Sequence, residues 1–167
     1  MALQSKVNQR ICPAIAGMPA SVVETHYLAK TPQAATAIPV GAFVFADTTD
    51  PNKVSNTGTG MVRGIAIFVR GYVSPGTTPS ATIPAGAPVT VATEGKVWVV
   101  ATNASAKVGD YVFASQTDGS VLTNASNAAQ GGHTLTNFRV EAVEGESAKS
   151  LVLISNQVAA VTQAASD

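Results

Sequence analysis

The stretch IPAGAPVTVATEGKVWVVATNASAKVGDYVFASQTDGSV, residues 83–121, decides the fold class. Val89, Val91 and Thr93 alternate with smaller residues, Glu94-Gly95 interrupts the run, and residues 96–100 resume it as KVWVV. Period-two alternation marks strands and glycine marks turns, so this pattern predicts a hairpin turning at Glu94-Gly95. Residues 111–114 give the next strand signal, and Asp118-Gly119 supplies its turn. Asp-Gly between apolar runs is a strong short-range hairpin signal. Trp98, the only tryptophan, stands mid-strand, where its ring is expected to be buried and to cover much of a small core. The rest of the chain reads as strands added around this meander.

A second strand echoes the first. VGAFVFAD (40–47) and VGDYVFAS (108–115) share Val, Gly, an aromatic, Val, Phe and Ala in register. Each is followed by a turn, a short valine-containing return (KVS at 53–55, SVL at 120–122), and a longer strand carrying arginine (MVRGIAIFV, NFRVEAV). This predicts two related strand–turn–strand units within one sheet system, too few for a solenoid. Gly64 is expected to mark a bulge, with Arg63 and Arg70 flanking the apolar centre of its strand. Residues 21–28 are expected as an edge strand. The polar stretch 124–136 reads as a loop, and residues 138–143 and 150–154 as a final hairpin. Helical signals are weak throughout, so the predicted fold is all-β. It is a single small antiparallel β-barrel or sandwich (21–155) with an extended N-terminal arm (1–20) and a short C-terminal tail (156–167).

Composition narrows the function. In 167 residues the apolar share is 46% but the aromatic share only 5%, so Val, Ile and Ala must fill the core. Lys+Arg 10 balances Asp+Glu 10. Nucleic-acid binders need a basic surplus to neutralise phosphates, so this balance argues against that partner. The charged share of 12% is low, and a weakly charged surface is poorly protected against association, which suggests that much of it is covered in an assembly. The single cysteine, Cys12, excludes an internal disulfide and fits a reducing compartment. No apolar run is long enough for a transmembrane helix, so no membrane is expected, and residues 1–17 lack a signal-peptide core.

Catalytic constellations are not apparent. Gly58-Thr59-Gly60 lacks the downstream Lys-Ser/Thr of a phosphate loop. His26 has no second ligand at metal-binding spacing. Asp47, Asp50 and Asn52 resemble a calcium-loop fragment but lack its closing glutamate, and are better read as an Asx turn. No Gly-x-Ser-x-Gly elbow positions a nucleophile. The expectation is therefore a protein that is not an enzyme and uses no cofactor. Cys12 reads as a small apolar contact in a docking arm.

Taken in order, the motifs are PAIAGMPAS (13–21), VGAFVFAD (40–47), VSNTGTG (54–60), GIAIFVR (64–70), IPAGAPVTV (83–91) and GKVWV (95–99), then the second Val-Gly strand. Their order and spacing resemble those of bacteriophage structural cement (capsid decoration) proteins. Each motif alone is a common β-turn pattern; the sequence of them over residues 13–121 carries the resemblance. The resemblance implies a protein on the outer surface of the virion capsid, assembled in the host cytoplasm. There it would clamp neighbouring major capsid protein subunits, itself a dimer or trimer at a symmetry axis. Candidate capsid or self contacts are Val7, Arg10, Ile11, Ile15 and Met18 in the arm, and the loop 73–81. Arg63 and Arg70 are candidates to pair with capsid carboxylates. The alternative is a virion or tail protein with a receptor-binding, glycan-binding or tube-forming role.

Overall fold

The computed structural model describes residues 14–69, 73–74, 80–144 and 150–156. The described chain is all-β. Its strands are β1 (His26–Tyr27), β2 (Gln33–Ala34), β3 (Ile38–Pro39), β4 (Phe43–Ala46), β5 (Lys53–Ser55), β6 (Val62–Ala66), β7 (Val73–Ser74), β8 (Ser80–Ile83), β9 (Val91–Glu94), β10 (Lys96–Ala101), β11 (Tyr111–Ser115), β12 (Val121–Asn124), β13 (His133–Glu144) and β14 (Ser150–Ser155). They form a six-stranded sheet ordered β1-β9-β6-β4-β5-β2, a closed barrel ordered β10-β12-β11-β13-β14, and a small sheet ordered β3-β8-β7.

The two repeated units fold alike. In the first, β4 pairs antiparallel with both β5 and β6. In the second, β11 pairs antiparallel with both β12 and β13. The units do not share a sheet, contrary to the sequence reading: one belongs to the six-stranded sheet and the other to the barrel. They meet through their turns. Gly58 N donates to Gln116 O at 2.9 Å, and Phe43 N donates to Gly119 O at 2.8 Å. Asn56 Nδ2 adds a bond to Asp118 O at 3.1 Å.

Glu94-Gly95 does not turn a hairpin. β9 pairs with β1 and β6, whereas β10 pairs with β14 and β12. A single residue separates β9 from β10, fewer than the two that the tightest common hairpin loops need, so the chain turns a corner and passes from one sheet to the other. Asn156 staples that corner: Gly95 N donates to its Oδ1 at 2.8 Å, and its Nδ2 donates to Thr93 O at 3.1 Å. Trp98 is corrected too. Alternation along β10 sends Val97, Val99 and Ala101 into the core, and leaves Lys96, Trp98 and Val100 on the opposite face, with the Trp98 ring half-buried. The stretch read as a loop at 124–136 already enters β13 at His133. The Asp118-Gly119 and final hairpins are present as β11–β12 and β13–β14, and β1 is a short edge strand.

Barrel closure falls at the parallel β10–β12 seam, where only Ala101 and Val121 are in register. Side chains extend it. Asn103 Nδ2 donates to Thr123 O at 3.0 Å, and Thr123 N donates to Asn103 Oδ1 at 3.2 Å, so an amide side chain imitates a ladder step. The other edge space of β10 is filled by residues 17–20. Gly17 N donates to Trp98 O (2.7 Å), Trp98 N to Met18 O (2.9 Å) and Ala20 N to Lys96 O (2.9 Å), while Phe68 N donates to Gly17 O (2.9 Å). This segment thereby straps the barrel to the end of the six-stranded sheet.

Two buried clusters hold the layers. One joins Phe43, Phe45 and Ile65 of the sheet to Val97, Val99, Val112, Val140, Val152 and Ile154 of the barrel. Phe43 and Phe138 meet edge to face at 5.8 Å between ring centroids. The other packs Val44, Val54, Ala66 and Val91 against Ile38, Ile83 and Val89 on the sheet's far face. β4 is thus covered on both sides, which is why it reads as a continuous apolar run rather than an alternating one.

Candidate docking surface

Among the described residues, no three His, Cys, Asp or Glu side chains gather into a metal-binding group. Asp47 and Asp50 are turn residues. Thr49 N and Asp50 N donate to Asp47 Oδ1 at 2.8 and 3.0 Å, and Asn52 N donates to Asp50 Oδ1 at 2.9 Å. The Asp50 and Thr49 N–H groups hold the Asp47 carboxyl below its ordinary range, and the Asn52 N–H does the same for Asp50. This is the Asx geometry expected from Asp-Pro-Asn.

The feature with the build of a binding surface is a groove of about 590 Å³ between the six-stranded sheet and the barrel. Leu28, Met61 and Leu135 line it, with Phe138 and Arg63 also contributing. Two bulges shape it. Val44 pairs with Gly64 and Phe45 with Val62, so Arg63 is the extra residue on β6. Tyr111 pairs with Arg139 and Phe113 with Leu135, so β13 bulges over the residues between. There the Thr136 hydroxyl donates to Val112 O at 2.8 Å, a side-chain substitute for the interrupted ladder. Gly64 permits the first bulge: its φ is +139°, and a Cβ there would lie 2.0 Å from Ala92 O. The bulge breaks the strand's alternation and re-aims its extra residue, placing Arg63 at the groove.

The apolar side chains at this groove are unusually open. Met61 is 70% exposed and Leu135 43%. Ile15 and Met18, two candidate contacts named from the sequence, are also exposed, on either side of the strap's Gly17. Arg63 is half-buried and lines the groove. Val7, Arg10, Ile11, Cys12, Arg70 and most of the loop 73–81 lie outside the described residues. The β13 wall of the groove was missed in the sequence because 124–136 looked like a polar loop. The alternation of His133, Leu135 and Asn137 with Thr134, Thr136 and Phe138, and its β-branched threonines, carried the strand signal. Nothing in the sequence marks Met61 as exposed.

The described chain is thus an all-β protein of two joined β-units with a groove at their junction. The chain belongs to the structural cement protein family (E217 gp24/Pam3 gp6), whose family model matches residues 3–157. A chain in a solved structure of the capsid of Myoviridae phage XM1 has a similar fold, with a TM-score of 0.63 and 18% sequence identity, covering 93% of this chain and 98% of that one. The comparison with curated proteins gives no match.

Proposed function

We propose that this protein is a capsid decoration protein that docks on the outer surface of a phage head and ties neighbouring major capsid subunits together. The observation that carries the reading is the family match over residues 3–157. The exposed apolar side chains and the groove at the junction of the two units support it. Cementing needs no chemistry. A ligand that binds the assembled shell and not its separated subunits stabilises the shell by mass action, and many weak seams repeated over a particle act together. In this reading the protein is not an enzyme, takes its place on the virion in the host cytoplasm, and self-associates as a dimer or trimer at a symmetry axis. Val7, Arg10, Ile11, Ile15 and Met18 supply arm contacts, the loop 73–81 adds to them, and Arg63 and Arg70 pair with carboxylates of the major capsid protein.

Co-sedimentation with capsids lacking this protein tests the proposal. Binding that saturates at a fixed ratio to capsid subunits is expected, and no binding at any concentration would sink it. A variant lacking residues 1–13 keeps the strap bonds of Gly17, Met18 and Ala20. It should fold and bind more weakly; unchanged binding removes the arm from the mechanism.

A further inference from the structure

The third strand of each repeated unit carries an arginine, at different register positions, and among the described residues only the one on β13 has a ring or hydrogen-bond partner. Arg139, on β13, sits with its guanidinium carbon 3.2 Å from the centroid of the Tyr111 ring and donates to Gly109 O at 3.2 Å. In the first unit Phe43 stands where Tyr111 does, but it is fully buried and pairs with Ile65, so Arg63, the bulge residue of β6, is not set opposite it as Arg139 is set opposite Tyr111. Among the described residues Arg63 makes no ion pair and no side-chain hydrogen bond, and none of the described residues lining its groove is acidic.

An arginine without a partner beside exposed methionine and leucine is a specific chemical demand. The guanidinium fork matches a carboxylate in two-point geometry, and it is weakly hydrated enough to be buried in such a pair. Met61 and Leu135 supply the apolar wall, and a thioether side chain adapts to whatever shape covers it. The bulge fixes where the arginine stands, since Gly64 lies against the Ala92 carbonyl and cannot slide.

We infer that this groove is the seat of one extended segment of the capsid partner, carrying an Asp or Glu that pairs with Arg63 and a neighbouring apolar side chain that covers Met61 and Leu135. The inference rests on the capsid-docking reading and adds the chemistry of its partner segment. A second copy of this chain is the competing occupant, and the crosslink below tells the two apart.

The test uses capsids lacking this protein as the probe, with wild type, Arg63→Glu, Arg63→Met and Lys107→Glu compared by co-sedimentation across a salt series. Lys107 is exposed and does not line the groove, so Lys107→Glu makes the same change of charge elsewhere. Thermal melts establish that each variant is folded. Arg63→Glu is expected to bind at least tenfold more weakly, Arg63→Met to bind more weakly with a shallower salt dependence, and Lys107→Glu to bind like wild type. A photo-crosslinking residue at Met61 should then capture a capsid peptide containing Asp or Glu. Failure of wild type to bind overturns the docking reading itself. Binding by wild type with Arg63→Glu no weaker than Lys107→Glu overturns the groove assignment alone. So does a crosslink to a second copy of this chain or to a segment without a carboxylate.

Discussion

Gly119 is where the second unit is locked to the first. Its N–H donates to Ser115 O at 2.9 Å, and its carbonyl accepts from Phe43 N at 2.8 Å. Its φ is +69°, and a Cβ would stand 2.3 Å from Phe43 O and 3.1 Å from Asn56 O. Both obstacles are backbone, so Gly119→Ala must push the β11–β12 turn away from β4. Two costs follow. The left-handed backbone disfavours alanine by about 1–2 kcal/mol. Phe43 is fully buried, and a buried donor pulled from its acceptor costs about 1–3 kcal/mol. Gly86→Ala isolates the first cost, since its φ is +79° and nothing lies within 4 Å of the new Cβ. The gain from a stiffer unfolded chain is common to both variants and cancels. Gly119→Ala should therefore be less stable than Gly86→Ala by about 1–3 kcal/mol, or roughly 2–12 °C in Tm for a chain of this size. Urea titrations followed by Trp98 fluorescence, compared at constant slope, read this difference. Equal midpoints for the two variants would refute the idea that the turn-to-strand contact couples the units.

Asn103→Ala removes the amide that extends the barrel's parallel seam and leaves Thr123 N without its partner; a loss of about 1–3 kcal/mol in the same titration is expected, and an unchanged midpoint would mean the seam needs no side-chain closure. Asp118 carries a pH signature. The Ser115 hydroxyl, then the Ser120 hydroxyl and the Ser120 N–H that donates to Oδ1 at 3.0 Å, hold its carboxyl below the ordinary value of 3.8. A folded pKa that is depressed means stability fully present above the unfolded value and lost as pH falls through the folded one. Asp118→Asn should thus be the less stable protein at neutral pH and converge on wild type as pH drops below about 3.8 in acid denaturation curves. A constant gap between the two curves at all pH would show that the bonds do not depend on the charge.

The sequence displayed the all-β class and the repeated units because their strands obey local rules: alternation, and Asp-Gly at a turn. VGAFVFAD and VGDYVFAS share a register that survives as matching three-strand topologies. Pairing between distant strands was not legible. Glu94-Gly95 looks like a hairpin turn by composition, and only the partners of β9 and β10 show it as a corner between sheets. Trp98 misled because residue size suggested burial while alternation with Val97 and Val99 put it on the other face. The docking groove was half legible. Arg63 and the Gly64 bulge stood out, but the opposite wall comes from β13, about seventy residues away, and depends on a closeness that no local pattern encodes.

The central claim is that the protein strengthens an assembled shell. The direct measurement is the disruption temperature of capsids lacking it, taken with and without saturating protein by light scattering. A rise in disruption temperature that saturates with the binding isotherm is predicted, because a ligand of the intact shell opposes its dissociation. Saturated binding with an unshifted disruption temperature would contradict the account and leave a display role in its place.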